Sequence, residues 1–214
     1  MWMLRSRPGV ADEPDNDLFE RWRDGDAGAG HALFKRHFTS IYRFFETKCP
    51  GEADELVQAT FLACVRARDQ FRKEASFRTY LFSIARNELY RALRGRRRDL
   101  ARIDFEVSSI AELVSTPGTK IARSQDHRRL LEALRQLPVE QQTLLELHYW
   151  EELPVSELAT IFEAPEATVR TRLRRAREAL REQMADAMPG LLETIESMDL
   201  WVRAAGPVKI TPAK

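Results

Sequence analysis

Five arginines stand within ten residues in the stretch "TVRTRLRRAR", Thr168 to Arg177. The chemistry they offer is non-covalent. A guanidinium keeps its charge at any physiological pH and presents a rigid fork of donors, matched to phosphate oxygens and to the O6 and N7 edge of guanine. At about 100° per residue, Val169, Leu173, Ala176 and Leu180 fall on one narrow stripe, and Arg170, Thr171, Arg174 and Arg175 lie opposite it. Arg172 and Arg177 flank the stripe. Such a helix is anchored along one face and turns cations outward on the other. The duplex-binding candidates are therefore Thr168, Arg170, Thr171, Arg172, Arg174, Arg175 and Arg177. Outward residues suit base edges, and flanking arginines suit phosphates.

A second cluster runs from Ser76 to Arg98. On the same wheel Phe77, Leu81, Ile84, Ala85 and Ala92 share one face, while Tyr80, Ser83, Arg86, Asn87, Tyr90, Arg91, Arg94 and Arg97 share the other. Rings interleaved with guanidinium groups suit unpaired nucleic acid. Bases stack on the rings, each worth about 1–3 kcal/mol, and the cations follow the backbone.

The overall charge conceals this. The 214 residues carry 34 Lys and Arg against 33 Asp and Glu, a formal net charge of +1. Residues 66–98 nevertheless hold eleven basic residues against Asp69, Glu74 and Glu88, whereas residues 11–26 hold seven acids against Arg21 and Arg23. Asymmetry of this kind speaks about partners, here a polyanion.

Other chemistries find little support. The four histidines are scattered, and His31, His37, Asp54 and Glu55 are the only group that suggests a metal or acid–base cluster. There is no His-Glu-x-x-His, no phosphate-cradling glycine loop and no nucleophile signature. We therefore expect no enzyme, cofactor or metal. Cys49 and Cys64 form no Cys-x-x-Cys pattern, so we expect buried thiols and a reduced, cytoplasmic setting. No apolar run reaches membrane-span length, and the opening "MWMLRSRPGV" lacks the apolar core of a secretion signal.

The elements that must position the two clusters are all helical. We predict an all-α protein of two helical domains joined by a flexible linker. An N-terminal tail (1–14) precedes the first domain (15–98). Its helices run over Asp15 to Asp24, about Ala29 to Lys48, about Glu52 to Arg68, and Ser76 to about Arg98, with Ser76 as N-cap. Residues 99–125, with the turn chemistry of "STPGTK", read as the linker. The second domain (126–184) ends in "LPVSELATIF", the tight turn "EAP" and the arginine helix. Val155, Leu158, Ala159 and Phe162 form the stripe of the helix before the turn, and Pro165 blocks its continuation. This is a helix-turn-helix pattern, whose second helix enters the major groove. A C-terminal extension (185–214) carries Leu191, Leu192, Ile195, Met198 and Trp201 at helical spacing.

Three segments bear a resemblance. "ADELVQATFLACVRARDQF", "SFRTYLFSIARNELYRALRGRRRD" and "LPVEQQTLLELHYWEELPVSELATIFEAPEATVRTRLRRARE" resemble, in this order, segments of bacterial sigma factors of the sigma-70 family, extracytoplasmic-function group. The resemblance implies an alternative sigma factor that binds core RNA polymerase, recognises minus-35 and minus-10 promoter elements, melts DNA and starts transcription. It implies that Asp54, Glu55, Gln58, Thr60 and Phe61 face the β′ clamp coiled coil of polymerase, and that the second domain meets the β flap. It implies that Phe71 to Tyr80, including Phe71, Arg72, Phe77 and Tyr80, capture a flipped minus-10 base. Arg86, Asn87, Tyr90 and Arg94, with Ser83 and Arg91 on the same face, would contact the non-template strand. Arg170, Thr171, Arg174 and Arg175 would meet the minus-35 duplex. An anti-sigma factor is an implied partner, and the free chain is expected to be a monomer without membrane insertion.

Two positions depart from the family pattern. Glu163 stands where the family usually has a turn glycine, at a cost of roughly 1 kcal/mol if left-handed. Tyr80 stands where the family often has tryptophan. The rival reading is a helix-turn-helix regulator acting on operator duplex without polymerase. It leaves the tyrosine–arginine face unexplained.

Overall fold

Asp15 and Asp17 open the first helix and Arg21 and Arg23 close it, each sign at the end of the dipole that favours it (α1, Asp15–Arg23). The computed structural model describes residues 13–71, 75–96, 103–114, 125–185 and 202–203. Asp26 caps the second helix (α2, Ala27–Glu46) by accepting a hydrogen bond from the Ala29 amide at 3.1 Å. α1 folds back onto α2 at Gly30. A Cβ there would lie 2.4 Å from Trp22 Cδ1, so only glycine permits the approach. α3 (Ala53–Arg66) runs into a single 3-10 turn at Arg68–Gln70. α4 (Phe77–Arg96) opens where expected, with Ser76 Oγ accepting from the Thr79 amide at 3.1 Å.

These four helices enclose an aromatic core. Phe19 stands edge-on to Phe71 at 4.9 Å and to Trp22 at 5.6 Å, and Phe34 stacks on Phe61 at 4.7 Å. Cys49 and Cys64 are buried free thiols, and burial pushes the Cys64 thiol up to about 12.

The segment expected to be a flexible linker is folded over 103–114. Ile103, Phe105, Ile110, Leu113 and Val114 are buried. Ser109 and Glu112 form a capping box on the short helix α5 (Ile110–Leu113). The Glu140 amide donates to the Phe105 carbonyl at 3.0 Å, and the Val139 amide to the Ser108 carbonyl at 2.9 Å. Turn residues at 115–120 guided the linker reading, and those lie outside the described residues. The apolar residues before them find burial because the later helices return over them.

The second group comprises α6 (Gln125–Gln136), α7 (Val139–Tyr149), α8 (Val155–Ile161) and α9 (Glu166–Ala185). Between α8 and α9 Glu163 has φ 51°, the left-handed conformation anticipated for that turn position. α1 to α4 pack on one another, α6 to α9 likewise, and the two groups meet along α4 and α8. Among the described residues there is no strand, only an isolated bridge between Ser109 and Pro138. The apolar set expected in the C-terminal extension lies outside the described residues. Val202 is described, and its carbonyl accepts from Trp150 Nε1 at 3.1 Å.

Candidate nucleic-acid interface

α9 buries Val169, Leu173, Ala176, Leu180 and Met184, the stripe read from its sequence plus one further turn. Arg170, Thr171, Arg174 and Arg175 are exposed on the opposite face. Arg170 pairs with Glu166, and Arg174 with Glu178 at 2.6 Å, both one turn away along the helix. Such exposed pairs are weak and yield readily to a phosphate. Thr168 is half-buried at the helix start.

Arg172 and Arg177 are otherwise engaged. Arg172 pairs with Glu140 of α7 and, at 2.8 Å, with Glu106. Arg177 Nε donates to Tyr149 Oη at 2.5 Å. Both hold α9 against the rest of the second group. Each flanks the buried stripe closely enough to reach carboxylates and rings of neighbouring elements, so neither stands on the open face with Arg170, Thr171, Arg174 and Arg175.

The α4 face is the greater departure. Tyr90 was expected outward and is only 7% exposed. Phe105 covers it, ring on ring at 4.1 Å and 21°. Arg86 is half-buried between the rings of Tyr90 (4.8 Å) and Phe162 (5.1 Å), and it donates to the Ile161 carbonyl at 3.0 Å. Phe71 and Phe77 are core residues, at 7% and 0% exposure. Tyr80 is half-buried on Phe71 and donates to the Ala67 carbonyl at 3.1 Å; burial pushes its phenol up to about 12. Asn87, Arg91 and Arg94 are exposed, and Ser83 is half-buried with its hydroxyl on the Thr79 carbonyl. Arg72 and Arg97 lie outside the described residues. An open cavity of about 590 Å³ lies beside the stack, lined by Tyr90, Arg94, Ile103, Asp104, Phe105, Glu106 and Glu140.

α3 presents Asp54, Glu55 and Gln58 to solvent, with Leu62 and Val65 exposed a turn or two further on. Phe61 is half-buried on Phe34. Thr60 does not face outward: it is fully buried and its hydroxyl donates to the Leu56 carbonyl at 2.8 Å, so its place in an outward set is corrected. Its position falls on the inward stripe with Leu56, Val57 and Cys64.

Sequence reasoning missed the seam between the groups. Lys48 pairs with Glu146, Arg43 and Arg78 both pair with Glu151, and Thr79 donates to Glu157. Carboxylates of α7, α8 and the loop between them thus meet bases and hydroxyls of α2 and α4. Lys48, at the end of an apolar helix, was the one available signal. His37 lies 2.6 Å from Asp15, not among the α3 acids. Among the described residues no group of three or more His, Cys, Asp or Glu is arranged to hold a metal, and no helix is long and apolar enough to cross a membrane.

The family model "Sigma-70 region 2" matches residues 33–99, and "Sigma-70, region 4" matches residues 127–180. The RNA polymerase sigma-H factor of Pseudomonas aeruginosa is 31% identical over 183 residues, covering 80% of this chain and 94% of that protein. The ECF RNA polymerase sigma-E factor of Escherichia coli K12 is 29% identical over 175 residues, covering 78% of this chain and 92% of that protein. Among solved structures, CnrH in complex with the cytosolic domain of CnrY aligns with TM-score 0.59 at 23% identity, covering 82% of this chain and 99% of that one. The sigma factor RpoE of Bartonella quintana, in complex with the anti-sigma factor NepR, aligns with TM-score 0.53 at 24% identity, covering 68% and 89%. These two share the fold.

Proposed function

We propose how a chain that belongs to the sigma-70 family, in its extracytoplasmic-function group, divides promoter recognition between its two helical groups. The chain is an alternative RNA polymerase sigma factor. Its finer assignment is our reading. Residues 126–184 form the unit that meets the minus-35 duplex, with Arg170, Thr171, Arg174 and Arg175 of α9 in the major groove and Thr168 at the helix start. Residues 15–98 form the unit that holds polymerase and the melted minus-10 strand. Asp54, Glu55, Gln58 and Phe61 of α3 face the clamp coiled coil of the β′ subunit. Arg86, Asn87, Tyr90, Arg91 and Arg94 of α4 hold the unpaired strand, trading base pairing for stacking and backbone contacts.

The observation that carries this reading is the outward arginine face of α9, set behind a tight turn and a second short helix and anchored by an apolar stripe. The packing of α8 on α4 and of Phe105 on Tyr90 adds a requirement: the α4 face opens before it receives a strand. The role asks no bond-making of this chain. An anti-sigma partner is proposed as well, supported by two fold neighbours that were solved with such proteins or with a partner's cytosolic domain. A regulator working apart from polymerase is not favoured, because the region 2 match covers α3, α4 and most of α2.

Run-off transcription tests the proposal. Purified core polymerase and a library of genomic promoter fragments should yield discrete products only when this chain is added. No new product, together with failure of chain and core to co-elute, would remove the assignment.

A further inference from the structure

In this structure a protein ring occupies the place where a base would stack. Phe105 lies on Tyr90 with ring centroids 4.1 Å apart and planes 21° from parallel. Arg94 of α4 sits over the same phenylalanine ring at 5.0 Å, and Arg86 sits over Tyr90 at 4.8 Å. A ring and cations on one helix face are what an unpaired nucleotide needs. The segment filling the site has matching chemistry. Asp104 and Glu106 are exposed carboxylates on either side of the ring, and Glu106 reaches Arg172 of α9 at 2.8 Å. Anion, ring, anion along a chain is the pattern of a base between two phosphates.

We propose that Tyr90, Arg86 and Arg94 form a stacking site for an unpaired base of single-stranded DNA, and that Asp104–Phe105–Glu106 occupies it in the free chain as a nucleotide mimic. The inference rests on the reading of α4 as the single-strand face and adds what competes for it. Two backbone hydrogen bonds tie the mimic to α7. Its Phe105 carbonyl accepts from the Glu140 amide and the Ser108 carbonyl from the Val139 amide. Both amides lie in the first turn of α7 and have no partner within that helix. A strand that displaces Phe105 therefore also uncovers these two amides. The contact of Glu106 with Arg172 ties the same displacement to the arginine helix.

The test uses the full chain and a fluorescein-labelled single-stranded DNA of mixed sequence, with the matching duplex as control. Phe105→Ala should bind the single strand at least about five-fold more tightly than wild type, the lower bound for one freed stacking position, with duplex affinity unchanged. Tyr90→Ala should weaken single-strand binding, and Phe105→Ala in that background should gain nothing. In wild type, saturating single strand should speed hydrogen exchange at the Val139 and Glu140 amides. This second measurement decides the matter if Phe105→Ala proves misfolded. A folded Phe105→Ala that binds no more tightly, or unchanged exchange at those amides under saturation, overturns the mimic. Equal binding by Tyr90→Ala and wild type would instead remove the single-strand reading of α4.

Discussion

Lys48, two residues past the end of α2, and Glu146, in the second turn of α7, form an ion pair that leaves the lysine fully buried, 98 residues apart in the chain. Thr47 Oγ1 donates to the same carboxylate at 2.9 Å and Gln142 Nε2 to its other oxygen at 2.7 Å. The ammonium also donates to the Phe44 carbonyl at 3.0 Å and lies 4.1 Å over the Phe44 ring. Burial pulls the lysine below its usual range, and the Glu146 charge opposes that. Removing one partner of such a pair leaves a buried charge uncompensated. Lys48→Met should cost about 3 kcal/mol in chemical denaturation, and adding Glu146→Gln should recover most of it. A double-mutant cycle with no coupling would contradict a pair that joins the two groups.

Asp15 ties the start of α1 to α2 through Arg36 at 2.5 Å and His37 at 2.6 Å. Burial raises its carboxyl, but the hydrogen bond and charge of His37, then of Arg36, outweigh burial and hold it below the ordinary value. A carboxyl lowered in the folded state stabilises above its unfolded value, about 3.9, and that contribution fades as pH falls through the lower folded value. Asp15→Asn should therefore cost about 1 kcal/mol at neutral pH, and the gap to wild type should close in acid. Urea denaturation across pH measures it, and a gap independent of pH would refute the assignment.

Gly30 lies inside α2, where alanine would ordinarily add up to about 1 kcal/mol of helix stability. Here a Cβ would meet Trp22 at 2.4, 2.7 and 2.8 Å from three ring atoms. Trp22 is itself held by Phe19 and by Phe34 at 5.1 Å. Gly30→Ala should thus destabilise by about 1–3 kcal/mol, and less in a Trp22→Leu background. Thermal unfolding of the four chains decides it.

The arginines of α9 should divide by what they touch. Arg174→Ala with Arg175→Ala should weaken promoter use while polymerase binding persists. If both side chains meet phosphates, the salt slope of duplex binding should fall by roughly 2. Arg172→Ala should lower the stability of the chain instead, because it strands Glu140, a carboxyl whose pKa burial already raises. Loss of polymerase and DNA binding together in the first variant would point to misfolding.

On α3 the same contrast separates the proposed docking face from the core face. Asp54→Ala and Gln58→Ala should weaken association with core polymerase, measured by co-elution or competition. Thr60→Val should leave it intact, because the hydroxyl never leaves the helix interior. Equal loss in all three would mean that α3 meets polymerase only through its overall shape.

The helical class, the start of α4 with its Ser76 cap and the stripe under the arginines were all written in local residue types. Periodicity and capping act over a few residues, so a single stretch carries them, whereas the left-handed turn at Glu163 was implied only by the family resemblance. What covers each face was decided elsewhere in the chain. A wheel can group Tyr90 with Arg86 and Arg94, but it cannot show that Phe105 returns to lie on Tyr90. Nor can it show that Glu146, Glu151 and Glu157 arrive across the seam to meet Lys48, Arg43, Arg78 and Thr79. Apolar burial has no direction along the chain, and ion pairs form wherever packing brings opposite charges together. The arginine face of α9 and the ring-and-cation pattern of α4 were therefore visible in the sequence, and the covering of the α4 face belongs to the tertiary structure alone.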